Sequence, residues 1–169
     1  MTAAGTRVLG IDTSLRCTGL GVVEAHGSML KAVDFGCLKT KPTWLHSMCL
    51  KHIADGIRTM VASTSPQCVS IEGAFFCKNI KTAMVLGEAR GVAIAACAEL
   101  GLPVYEYAPR RVKQALTGVG GAEKHQVMKM VMRLLGLDEE VQQDASDALA
   151  LAICHLQSAR GLAGQQEPI

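Results

Sequence analysis

RVLGIDTSLRCTGLGVVEAHGSMLKAVDFGCLK, residues 7–39, carries three short extended segments in a row. Arg7 to Asp12 is largely apolar and reads as a buried central strand. Thr18 to Ala25 and Met29 to Lys39 follow as strand-like runs, parted by His26-Gly27-Ser28, a loop suited to a hairpin with glycine at its strained position. Three antiparallel strands therefore open the chain.

The remainder reads helix, strand, helix, strand, and then a helical end. Trp44 to Ala62 sets Leu45, Met48, Cys49, His52, Ile53, Gly56, Ile57 and Met60 at spacings of three and four, the pattern of an amphipathic helix. Cys68 to Glu72 is a compact strand. A helix follows over Asn79 to Glu99, rich in alanine and glycine, which permits close approach to the sheet or to a second copy of the same helix. Pro103 to Tyr107 reads as a strand, Pro109 to Leu116 as a short helix, Gly118 to Gly121 as a flexible loop, and Glu123 to Leu135 and Asp144 to Arg160 as helices. The order predicts one α/β domain over residues 1–160, with a central five-stranded mixed sheet, and a flexible tail over 161–169. It also sets a condition: the ends of the Asp12 and Glu72 strands must be neighbours.

The chain has 169 residues, 49% of them hydrophobic and 19% charged, which predicts a soluble globular domain with no membrane span. Its net charge of +2 is unevenly placed. Residues 73–133 hold nine Lys/Arg against four Asp/Glu, a net of +5 that leaves −3 elsewhere, so the middle of the chain offers a surface to a polyanion. Seven cysteines without a C-x-x-C pair or a leader-like start predict reduced thiols in the cytoplasm and argue against structural zinc.

Four acids stand out: Asp12 and Glu72, each closing an apolar strand, and Asp144 and Asp147 in DASDALALAICH, 144–155. A lone Asp at a helix start is usually a cap or a partner of the helix dipole. Charges on buried strands are costly unless paired or metal-bound, and Mg²⁺ needs few carboxylates because it borrows ligands from water and substrate phosphate. An Arg or Lys ion-pair network is the competing structural explanation. Gly19 and Gly21 on the neighbouring strand mark close approach by another backbone or a ligand. Phe75 and Phe76 adjoin Glu72, and one of them could stack on a base or wedge into a duplex. Lys78, Lys81, Arg110, Arg111, Lys113, Lys124, Lys129 and Arg133 would suit phosphate contacts.

The segments VLGID with TGLGVV, IEGAFFCKN, LGEARGVAI, VYEYAPRRVKQALTGVGGAEK and DASDALALAICH, in that order, resemble the RuvC family of Holliday junction resolvases, of the RNase H-like superfamily. The resemblance runs from Val8 to about Leu156. It implies that Asp12, Glu72, Asp144 and Asp147 are catalytic and hold two Mg²⁺, with Mn²⁺ as a substitute. It implies that Phe75 contacts bases near the crossover and that Lys113 and Lys124 serve DNA binding and catalysis; Lys78 and Arg111 join them as candidate DNA contacts. It further implies a homodimer, with the helix from Asn79 at or near its contact, that makes two symmetric nicks in a four-way junction in recombination and repair, leaving 5′-phosphate and 3′-hydroxyl ends. The branch-migration proteins RuvA and RuvB are the further partners it suggests. One departure is visible: the family usually reads Pro-Gly after the first aspartate, where this chain has Thr13-Ser14. That I-D-T-S also resembles actin-like ATPases and the related tRNA-threonylcarbamoylation scaffold, an alternative that leaves Glu72, Asp144 and Asp147 without a role. An RNase H-like nuclease with another substrate is the third reading.

Overall fold

The computed structural model describes residues 5–73, 79–159 and 166–169. Its elements are β1 (Thr6–Asp12), β2 (Cys17–His26), β3 (Met29–Lys39), α1 (His46–Thr64), β4 (Cys68–Glu72), α2 (Ile80–Glu99), β5 (Val104–Tyr107), α3 (Pro109–Thr117), α4 (Lys124–Leu135) and α5 (Gln143–Ser158). The strands form one mixed sheet in the order β3-β2-β1-β4-β5. β1 is antiparallel to β2 and parallel to β4, β2 is antiparallel to β3, and β4 is parallel to β5. The architecture is the five-stranded α/β sheet expected, with its first three strands antiparallel.

Two details differ from the sequence expectation. Between Val22 and Val23 the β2–β3 register slips, Val22 facing Asp34 and Val23 facing Ala32, so Val33 is an extra residue on β3. Such a bulge bends and twists an edge strand without altering its composition, which is why periodicity did not reveal it. α1 lies two residues later than its apolar period suggested, ending where Ser65 takes a left-handed φ of 49° and returns its N–H to the Val61 carbonyl. The hairpin glycine is as expected, with Gly27 at φ 56°.

Period-two alternation divides the core. Leu9, Ile11, Leu20, Val22, Val69 and Ile71 point to one face, where Ile53 and Ile57 of α1 and Ala89 and Ala93 of α2 cover them. Val8, Val23 and Cys68 point to the other, packed beneath α5 with α3 and α4 outside it. α5 is buried along most of its length, from Ala145 through Leu156, because it lies between the sheet and those two helices. Past the end of α5, Ile169 N–H donates to the Val104 carbonyl at 2.9 Å, beside β5.

Candidate active site

β1 and β4 run in parallel with Ile11 opposite Ile71, so Asp12 and Glu72 emerge side by side at one end of the sheet. The neighbour condition set by the sequence is met. Alternation then assigns the face. Asp12 follows Val8 and Gly10, and Glu72 follows Cys68 and Ser70, so both acids lie on the α5 side. Ser70 anchors this face by donating its hydroxyl to the Leu151 carbonyl at 2.8 Å.

α5 could not reach these acids if β1 and β2 carried side chains beneath it. A Cβ on Gly10 would stand 1.8 Å from the Ala148 carbonyl oxygen, and one on Gly19 would stand 1.9 Å from that of Asp144. Gly19 thus marks approach by a backbone, one of the two possibilities its position left open, while Gly21 lies under the Leu149 side chain. The consequence is functional: the helix bearing Asp144 and Asp147 is seated directly on the strands bearing Asp12.

The result is a cavity of about 110 Å³ lined by Asp12, Glu72, Asp147, Lys113 and Lys124, with an apolar wall from α3, α4 and α5. Burial first, then the charges of Asp147, Glu72 and Asp144, push the Asp12 carboxyl up to about 7, with Lys124 opposing. Glu72 is raised by burial and by Asp147, while Lys124 and Lys113 pull it down. Lys124 is raised, chiefly by Asp147, whose Oδ2 lies 3.3 Å from its Nζ. Three carboxylates share a partly buried space against two lysines. Surplus negative charge on oxygen ligands is the setting a hard divalent cation relieves.

Gln143 is a member of the site that sequence reading passed over. Its Nε2 donates to Asp147 Oδ1 at 2.9 Å, fixing that carboxylate. The signal was present as a Gln and an Asp four residues apart on one helix.

Asp144 behaves differently from the other three. It does not line the cavity, and its Oδ2 accepts from the Cys17 thiol at 3.0 Å. Three residues along a helix leave two side chains about 60° apart around the axis, enough to aim Asp147 at α4 and Asp144 at β2. The Cys17 thiol is pushed up to about 12, by burial first, then by its hydrogen bond with Asp144 and by the neighbouring Cys37.

The Thr13-Ser14 turn closes by side-chain bonding. Ser14 Oγ accepts from the N–H groups of Arg16 and Cys17, each at 3.4 Å, and the Thr18 hydroxyl donates to the Ser14 carbonyl at 2.6 Å. Among the described non-glycine residues only Ser65 has a positive φ, so position 14 does not need glycine. A serine turn of this kind replaces the fixed geometry of Pro-Gly.

Of the candidate DNA contacts, Lys113 and Lys124 face the cavity. Arg111 is placed elsewhere, its Nη2 3.4 Å from Ser158 Oγ at the far end of α5. Phe75 and Lys78 lie outside the described residues.

A family model described as crossover junction endodeoxyribonuclease RuvC matches residues 8–155. The chain belongs to the RuvC family. It is 43% identical over 165 residues to the RuvC of Caldicellulosiruptor saccharolyticus, covering 96% of this chain and 99% of that one. It is 48% identical over 152 residues to the RuvC of Trichlorobacter lovleyi, covering 90% and 85%. In structure it is similar to Thermus thermophilus RuvC in complex with a Holliday junction substrate, with a TM-score of 0.90 and 34% identity over 97% of this chain and 99% of that one. RuvC membership makes the chain a Holliday junction resolving endonuclease with the RNase H-like fold. The scaffold reading is not favoured, because Glu72 and Asp147, idle in it, share a cavity with Asp12. RuvC enzymes are metal-dependent nucleases, so a divalent cation is implied, and the acid-rich cavity fits one. Among the described residues no helix is long and apolar enough to cross a membrane.

Proposed function

We propose that Asp12, Glu72, Asp144 and Asp147 are the catalytic acids of this resolvase and hold two Mg²⁺ ions, replaceable by Mn²⁺. The observation carrying this reading is the convergence of Asp12, Glu72 and Asp147 on one cavity, where crowding and burial push Asp12 up to about 7. Bound there, the cations would lower the pKa of an attacking water and stabilise the leaving 3′ oxygen. The chain's own groups do the rest. Gln143 holds Asp147 in position. Lys113 and Lys124, which line the same cavity as the carboxylates, draw the scissile phosphate inward and stabilise the extra negative charge of the transition state. The apolar wall of Val112, Val127 and Leu151 limits water around the reacting phosphate. Products carry 5′-phosphate and 3′-hydroxyl ends. Phe75 and Lys78 follow the Glu72 strand in sequence and are assigned to the DNA near the crossover. Arg111, turned toward Ser158, is assigned to an outlying phosphate.

The substrate is four-way junction DNA, the ligand named for the Thermus thermophilus structure. With Mg²⁺, labelled junctions should give paired, symmetric nicks. Junctions left intact, or linear duplex cut as readily, would overturn the reading.

Two symmetric nicks call for a C2 dimer, which offers identical sites to matching strands. The supporting surface is on α2. Ala89, Ala93, Ala96 and Cys97 are spent on the core, but Ala83, Gly87, Gly91 and Ala95 are exposed, beside Ile80 at 77% and Met84 at 62% exposure. Met84→Arg should turn the sedimenting species from dimer to monomer while leaving the circular dichroism spectrum unchanged. A wild-type chain sedimenting as a monomer at micromolar concentration refutes the dimer. Action in the cytoplasm alongside RuvA and RuvB completes the proposal, in keeping with the bacterial relatives.

A further inference from the structure

Cys17 and Cys37 are twenty residues apart in sequence, and only the β2–β3 register makes them neighbours. Gly19 faces Cys37 while Cys17 faces Lys39, so the two thiols are diagonal on one side of the sheet. Both are half-buried, whereas Cys49, Cys68, Cys97 and Cys154 are buried. The Asp144 carboxylate completes the cluster. Ligand atoms of Cys17, Cys37 and Asp144 all lie within 4.8 Å of one another, and among the described residues no other group of three or more His, Cys, Asp or Glu does so. Asp144 cannot retreat as a unit, because its carbonyl is seated against Gly19.

We propose that Cys17, Cys37 and Asp144 form a binding site for a thiophilic divalent cation of the Zn²⁺ or Cd²⁺ class, separate from the nuclease cavity. Two thiolates and one carboxylate fill three corners of a tetrahedron and leave the fourth to water. Binding breaks the two S–H bonds heterolytically, releases both protons to solvent, and leaves the metal's oxidation state unchanged. Ligand softness sorts the ions. Thiolates select Zn²⁺ or Cd²⁺ over Mg²⁺, and the all-oxygen cavity of Asp12, Glu72 and Asp147 favours the hard ion.

Asp144 is the hinge between the two sites. In this structure its carboxylate is turned to Cys17 and is absent from the cavity wall. A soft metal at the thiols would hold it there. On the reading that Asp144 serves the nuclease centre, occupation of one site then opposes completion of the other, and the opposition is reciprocal.

The test uses the reduced, full-length protein without Mg²⁺, titrated with Cd²⁺ and followed by thiolate-to-metal charge-transfer absorption, a signal that carboxylate binding does not produce. The band should saturate at one equivalent per chain and be lost in both Cys17→Ser and Cys37→Ser, each checked for folding by circular dichroism. Absence of the band in the wild-type protein, or its persistence in both folded variants, overturns the site. Junction cleavage in Mg²⁺ is then measured against added Zn²⁺, with half-inhibition expected at a concentration at least about 10-fold higher in Cys17→Ser than in wild type. A charge-transfer site whose filling leaves cleavage untouched sustains the metal site and instead refutes Asp144's role in the nuclease centre.

Discussion

Asp12→Asn is expected to abolish junction cleavage while making the metal-free protein more stable at neutral pH. Burial and three neighbouring acids lift Asp12 from its ordinary 3.8 to about 7. Between those values the native chain holds a proton that the unfolded chain has lost. The group's contribution to stability is therefore complete below about pH 4 and lost as pH rises through 7. The loss amounts to at most about 4 kcal/mol, the equivalent of some three pKa units. Asparagine carries no charge to bury, so in EDTA at pH 7.5 the variant should melt roughly 5–10 °C above wild type. The gap should close as pH falls toward 4. Cleavage should fall on the order of 10³-fold or more, because metal-assisted charge stabilisation is worth several kcal/mol. A variant that melts lower than wild type at pH 7.5, or that still nicks junctions at the wild-type rate, would sink this account. Stability is given up here for the ability to gather cations, and Mg²⁺ should restore it in wild type alone.

Gly10→Ala should be, with Gly19→Ala, among the most damaging single-methyl changes in the sheet. The new Cβ would sit 1.8 Å from the Ala148 carbonyl oxygen, 2.8 Å from its carbon and 3.0 Å from the Ala152 nitrogen. All three are backbone atoms of α5, so no side-chain rotation relieves the clash and the helix itself must move. Overpacking a core typically costs about 1–3 kcal/mol, and a rigid backbone neighbour puts this change at or above the upper end. Whatever fraction folds should also cleave poorly, since α5 carries Asp147 and a shift of about 1 Å in a catalytic group can cost about 10²-fold. Gly36→Ala serves as the control, as its Cβ would meet nothing within 4 Å. Urea denaturation should separate the two variants widely. Equal stabilities would mean that α5 is not held as tightly as the strand glycines imply.

Much of the fold was legible because its signals are local. The short apolar and strand-like runs over 7–39, the glycine of the hairpin and the three-and-four spacing of α1 each describe a contiguous stretch. The condition that Asp12 and Glu72 be neighbours needed only the strand assignments, and the parallel pairing of Ile11 with Ile71 meets it. Gln143 could have been found by the same local reasoning, one turn before Asp147. Arg111 could not have been separated from Lys113 by composition. Two residues on a helix differ by about 200° in direction, which sends one toward Ser158 and the other into the cavity.

The sequence by itself determined which acids close which strands, which helix brings the remaining pair, and that the chain belongs with RuvC, because each of these is written in short contiguous motifs. Tertiary structure alone decided where those groups point. Gly10 and Gly19 became the seat of α5 only once a helix backbone lay on them. Asp144 turned toward Cys17 and Cys37 only once the β2–β3 register set those thiols beside the start of α5. Side-chain direction and cross-strand register depend on packing between segments far apart in the chain, and no local pattern of residues encodes them.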